Sequence, residues 1–305
     1  MPKYYVGDFI RETRERRGYT QEELCYGICS VPSLSRIENG VQVPGSRRLD
    51  ALLQRLGCGN QVFNEFVSKE ETKIYELTKN IRRAIMDENI EELKRGLLDI
   101  EPLLKNKSKF DIQYFLFAKG MLSYLNKGSR EDVLEIYMEA IHITLPEFDG
   151  ITPLESKLLT FDEITILINI ASLYAELERL NDALKIGFWL KGYMEKRVVD
   201  ETERKKKYPV LLYNLTNWLG VKKRYDDALE ICDKGINYCI QNGTLRYFPM
   251  LIFNKGCSLA ELGDMEKAKK YFRQAIVILE SINNEEKMKV AIAWCEKRFH
   301  IDVSF

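Results

Sequence analysis

Apolar residues recur along this chain at i, i+3 and i+4, and runs that alternate apolar with polar residues are nearly absent. A period near 3.6 gathers apolar side chains on one helix face, whereas a strand needs a period of two. The pattern predicts an all-α fold. Up to about residue 67 the apolar stripes are short and separated by Gly18, Gly40, Pro44 and Gly57; beyond it they are longer and come in pairs. We place a boundary at Ser68, dividing the chain into 1–67 and 68–305.

Residues 7–66 read as five short helices. The first carries Phe9, Ile10, Thr13 and Arg17 and stops at Gly18. Thr20-Gln21-Glu22-Glu23 is a capping box, with Thr20 capping the second helix and Glu23 reaching back. Leu24 and Ile28 are its core residues. Ser30 is a good N-cap for the third helix, which tolerates Pro32 in its first turn. Leu34 and Ile37 face inward, and Gly40 stops the helix. The fourth starts after Pro44-Gly45-Ser46 and ends at Gly57.

The longer stripes form a degenerate repeat. Gly256, Gly263, Ala268, Phe272 and Ala275 resemble the small, Gly, Ala, aromatic and Ala positions of a tetratricopeptide repeat. Aligned copies centre on Ala228, Ala183, Val133 and Leu93, with Tyr174 supporting the Ala183 copy and Tyr124, Gly128, Tyr137 and Ala140 the Val133 copy. Their spacings of 40, 45, 50 and 40 residues exceed the usual ~34, so longer helices or loops are expected. Five helix pairs are predicted from about 70 to 284, then a closing helix from about 285 to 298. Each pair buries its apolar face only by stacking on the next, which yields a continuous core and a curved groove.

Composition narrows the chemistry. Lys plus Arg and Asp plus Glu each total 46, so net charge gives no hint of nucleic acid. Residues 1–66 hold nine basic and eight acidic side chains, a net of +1, so any DNA contact rests on a local patch. No apolar run approaches the roughly 18 residues of a membrane span. The N-terminus lacks a signal-peptide stretch, and the expected location is cytoplasmic. Seven cysteines without a CxxC pair argue against a disulfide framework. Cys25 and Cys29 sit one turn apart without His partners, and read as core residues rather than metal ligands. With His142 and His300 the only histidines, and no nucleophile–base pair or phosphate loop, neither an enzyme nor a cofactor is expected.

Thr20-Gln21-Glu22-Glu23-Leu24, Leu34-Ser35-Arg36-Ile37-Glu38-Asn39-Gly40 and Pro44 resemble the Xre/Cro/phage-repressor helix-turn-helix. The turn Gly27-Ile28-Cys29-Ser30 is one residue shorter than the usual Gly-Val-Ser form, similar to that of PlcR-like regulators. The joint arrangement resembles the Rap/Rgg/NprR/PlcR/PrgX group of peptide-responsive quorum-sensing proteins. The resemblance implies a DNA-binding homodimer whose repeats sense a short peptide. Carried over by position, Ser30, Val31, Pro32, Ser33 and Arg36 lie on the DNA-facing end of the recognition helix. Arg36 suits guanine O6 and N7, and Val31 and Pro32 suit thymine methyls. Gln21 at a helix N-terminus would donate to phosphate, with Arg47 and Arg48 as further backbone contacts. Alternatively, Arg36 pairs with Glu38 or Glu22.

With the repeats aligned, one position on each first helix holds Asn169, Asn214 and Asn254, and Lys79 and Lys119 in the two earlier copies. In tetratricopeptide proteins this position faces the groove. A carboxamide both donates and accepts, so a ladder of them grips an extended peptide backbone. Lys119 would meet the peptide's terminal carboxylate or an acidic side chain, and Tyr213, Asn217 and Phe253 would line side-chain pockets. Otherwise Asn merely suits a crowded helix face. Trp294, on the closing helix, either joins a dimer contact or caps the last repeat. A second reading of the chain is a helical-repeat protein-interaction scaffold or response-regulator-binding protein without specific DNA binding.

Overall fold

The computed structural model describes residues 6–59, 69–104 and 108–303, with the backbone alone for 69–72. The fifth short helix expected before residue 66, and the boundary at Ser68, fall largely outside the described residues. Among those described, every regular element is helical.

Four helices open the chain: α1 (Val6–Arg16), α2 (Gln21–Cys25), α3 (Val31–Glu38) and α4 (Ser46–Arg55). Several boundaries have a local cause. Thr20 and Glu23 form the capping box of α2, and the Ser30 hydroxyl accepts from the Ser33 amide to start α3. Gly40 adopts φ +71 where α3 ends, a conformation that costs a residue with a Cβ. Ile10, Leu24, Ile28, Leu34, Ile37, Leu52 and Leu56 form one buried cluster, which Leu158 joins from far along the chain.

Five pairs follow in chain order: α5 (Lys69–Met86) with α6 (Ile90–Ile100), α7 (Lys109–Leu125) with α8 (Arg130–His142), α9 (Phe161–Glu176) with α10 (Leu180–Lys196), α11 (Glu201–Val221) with α12 (Tyr225–Asn242), and α13 (Phe248–Glu261) with α14 (Met265–Ser281). The closing helix is α15 (Glu285–Phe299). The 50-residue repeat spacing arises from an insertion at residues 143–160. There Phe148 is buried against Trp189, and His142 Nε2 lies 2.7 Å from the Phe148 carbonyl. The 45-residue spacing reflects the 21 residues of α11, which carries Pro209 inside it.

Small residues lie where the helices of a pair cross. A Cβ on Gly256 would lie 2.7 Å from the Phe272 ring, and one on Gly120 2.5 Å from the Tyr137 ring. The turn inside each pair contains one left-handed residue: Glu88, Lys127, Glu178, Lys223 and Gly263.

The chain forms two compact units. One comprises Met1–Trp189 with Tyr193–Glu203, and the other Leu190–Gly192 with Arg204–Phe305. The first therefore contains the four N-terminal helices together with α5 to α9. None of the described helices is long and apolar enough to cross a membrane.

Candidate nucleic-acid interface and repeat groove

Helix α3 presents its N-terminal half to solvent. Ser30, Val31, Pro32 and Arg36 are exposed and Ser33 is half-buried, while Leu34 and Ile37 anchor the opposite face. Arg36 makes no ion pair among the described residues. Glu38, the carboxylate that Arg36 would otherwise seek, is buried and already held: Arg14 donates to it at 2.7 and 3.0 Å. The Gln21 amide also donates to Glu38, at 2.6 Å. Gln21, expected on phosphate, thus spends a donor inside the domain, because an ionised acceptor at close range outcompetes a solvent-facing role.

Arg47 and Arg48 part company. Arg47 forms an ion pair with Asp111 of α7 at 2.6 Å and donates to Thr78 of α5 at 3.3 Å. Its guanidinium therefore lies on the repeats, contrary to the expected backbone contact with DNA. Arg48 is half-buried beside Cys29 and Lys109 and makes no ion pair among the described residues. Burial pushes the Cys25 and Cys29 thiols up, so both stay protonated. Among the described residues no group of His, Cys, Asp and Glu is arranged to hold a metal.

The Arg47 contact belongs to a wider polar seam. Arg55, fully buried, meets Glu163 of α9 at 3.3 Å and donates to the carbonyls of Leu24 and Tyr26. Glu163 also closes the α9 capping box on Thr160. The Gln54 carbonyl accepts from the Phe161 amide at 2.9 Å, and its NH2 donates to Asp50. Burial, and then repulsion from Asp162, push the Asp50 carboxyl up to about 6 against the pull of Arg47 and Arg82. Lys157 lies 3.3 Å from the centre of the Tyr26 ring. The long-range pairings of Arg55 with Glu163, Gln54 with Phe161 and Lys157 with Tyr26 are not visible from sequence spacing.

The groove residues divide between the two units. In the first, Lys79 and Lys119 are exposed and Asn169 donates to the Thr165 carbonyl of its own helix at 2.8 Å. In the second, α11 and α13 bring two of the expected residues, Asn217 and Asn254, together. Asn254 donates to Asn217 Oδ1 and to Thr216 Oγ1, both at 2.7 Å, leaving its carbonyl as the available group. Asn214 is half-buried one turn before Asn217. Tyr213 faces Tyr247, with ring centres 5.6 Å apart. Phe253 does not line a pocket as expected: it is 6% exposed and packs 5.1 Å from Phe272 in the core. Sequence reasoning missed Tyr247, Arg246 and Lys287, whose cations lie 5.7 and 5.8 Å from the Tyr247 ring. They sit on non-equivalent repeat positions and left no periodic signal. A separate cleft of about 450 Å³, lined by Glu131, Leu134, Glu135, Met138, Leu177 and Arg179, contains none of the expected site residues.

Comparison with known proteins matches residues 6–66 to a helix-turn-helix domain family and residues 79–300 to the RNPP family C-terminal domain. Among solved structures the chain is similar to Bacillus thuringiensis PlcR in complex with the peptide PapR7 and DNA. The TM-score is 0.62 and the identity 18%, over 94% of this chain and 98% of that one. The apo form of the same protein gives 0.59 and 16% over the same shares. Apo ComR from Streptococcus vestibularis, a competence regulator, gives 0.51 and 15%, over 96% and 97%. At these identities the likeness concerns the fold. No curated protein matches.

Proposed function

The chain belongs to the RNPP family, whose C-terminal domain spans residues 79–300, and from that premise we propose that it is a sequence-specific transcriptional regulator gated by a short peptide. The observation that carries the reading is the α3 surface: a capped recognition helix with Arg36 exposed and unpaired on a helix-turn-helix core. On this reading residues 1–67 bind DNA and 68–305 sense the ligand. Ser30, Val31, Pro32, Ser33 and Arg36 meet the major groove, and Arg48 the backbone. Asn214, Asn217, Asn254 and Tyr213, all within the second unit, contact the peptide. PlcR was solved with both a peptide and DNA, which supports the pairing of partners here.

One such domain covers one half-site, so two copies are needed to read a two-fold operator. We assign the contact between copies to α15. Its outward stripe runs Glu286, Val290, Ala293, Trp294 and Lys297, with Val290 64% and Trp294 51% exposed. The terminal helix of a repeat stack ordinarily turns a polar face outward. Laid antiparallel on a second copy about a two-fold axis near its midpoint, the stripe sets Glu286 against the partner copy's Lys297 and Val290 against its Ala293.

The test is a mobility-shift assay on DNA upstream of the gene, with and without short peptides encoded nearby. A retarded band that a peptide strengthens or abolishes is expected. Binding of peptide with no retardation of any DNA would favour the scaffold reading.

A further inference from the structure

The segment after α3 carries a feature that the helix-turn-helix pattern does not explain. Val41 and Gln42 fold back so that both amides donate to the Arg36 carbonyl, at 2.9 and 3.1 Å. This hairpin-like return lays the Gln42 side chain along the solvent-facing side of α3. There the Ser33 hydroxyl donates to Gln42 Oε1 at 3.3 Å. Ser33 is itself placed by the Ser30 cap, which accepts from its amide. Ser33 and Arg36 are three residues apart and share one helix face. Ser33, Arg36 and Gln42 therefore form one cluster on the surface assigned to DNA.

The chemistry of the cluster is specific. With its oxygen turned to Ser33, the Gln42 carboxamide directs its NH2 group outward and keeps a second lone pair on Oε1. One donor beside one acceptor, in a plane, matches N7 and N6–H2 of adenine in the major groove. Val41 and Val43 flank Gln42 and are 74% and 81% exposed. Burial among neighbours does not account for them, and apolar groups at that place suit the thymine methyl of the same base pair.

Resting on the DNA-binding reading above, we propose that Gln42 reads the adenine of an A·T pair beside the guanine read by Arg36, with Ser33 as its positioning residue. A side chain from outside the recognition helix thereby extends the sequence read in each half-site.

The test is selection of binding sites from a random double-stranded DNA library by the full chain and its variants, with affinities then measured on the selected duplex. Wild type selects a motif containing an A·T position next to a G·C position. Gln42→Ala loses the A·T preference and binds the wild-type duplex about tenfold more weakly, with binding to random duplex unchanged. Gln42→Glu, which only accepts, moves the preference toward cytosine N4. Ser33→Ala blunts the A·T preference severalfold without altering affinity for random DNA, a readout that loss of stability does not mimic. An unaltered motif with Gln42→Ala overturns the inference alone, as does an equal loss on selected and random duplex, which marks a backbone contact. Failure of the wild-type protein to enrich any motif overturns the DNA-binding reading beneath it.

Discussion

At the scale of single residues, what a side chain does depends on which partner reaches it first. Arg36 has no carboxylate partner because Arg14 and Gln21 occupy Glu38. Arg36→Ala should therefore weaken binding to a selected site by about 1–3 kcal/mol and relax one base position. Fluorescence anisotropy on selected and scrambled duplexes checks it, and an equal loss on both would rule out base reading. Asp50 shows the reverse situation, a carboxyl held among opposing charges. Its folded-state pKa is raised from 3.8 to about 6, with burial the main cause and Asp162 next, opposed by Arg47, Arg82 and the Gln54 amide. The folded chain thus binds this proton more tightly than the unfolded chain. Asp50's favourable contribution is complete below pH 3.8 and is lost as pH rises through about 6. Asp50→Asn should flatten the fall in urea midpoint between pH 4.5 and 7 and raise the midpoint at pH 7. A pH profile identical to wild type would show that the carboxyl is not responsible.

Two local devices recur among the elements, a capped start, as at α2, α3 and α9, and a small residue where helices cross. Gly256 sits where α13 meets α14, and an added methyl would collide with the Phe272 ring at 2.7 Å. Phe272 is fully buried and packed against Phe253 and Phe299, so it has nowhere to move. Gly256→Ala should destabilise the chain by about 1–3 kcal/mol through overpacking, despite alanine's better helix propensity. The sign of the change in thermal unfolding decides between the two effects, because propensity alone would raise the midpoint.

Over the whole molecule, the N-terminal helices are not a freely tethered module, since they share one compact unit with α5 to α9. The Arg55–Glu163 pair in that unit is fully buried, and removing one partner of such a pair ordinarily costs about 3–5 kcal/mol. Arg47 would have to leave Asp111 before it could meet a phosphate. Assembly is the second question at this scale. Glu286 and Lys297 make no ion pair among the described residues, which leaves both available to a second copy. Glu286→Lys and Lys297→Glu should each shift the protein toward monomer in analytical ultracentrifugation, and the double variant should restore the dimer. Two single variants that dimerise like wild type would remove α15 from the contact.

Much of this protein follows from sequence alone. The all-α class, the capping box at Thr20, the stop at Gly40, the five pairs and the closing helix rest on interactions within a few residues, and such interactions leave a periodic or positional signature. The small position at Gly256 was legible for the same reason: the repeat pattern places it. What only the tertiary structure decided lies in contacts between distant parts of the chain. Arg47 found Asp111, Gln54 found Phe161 and Arg55 found Glu163 across separations of 64 to 108 residues. Phe253 went to the core rather than the groove, because α14 placed Phe272 against it. Gln42 came to lie beside Ser33 through a fold-back that no spacing announces. A residue type states which bonds a side chain is able to make. Only the packing of helices chooses among them, because charge, hydrogen-bonding and apolar partners compete for each side chain through space.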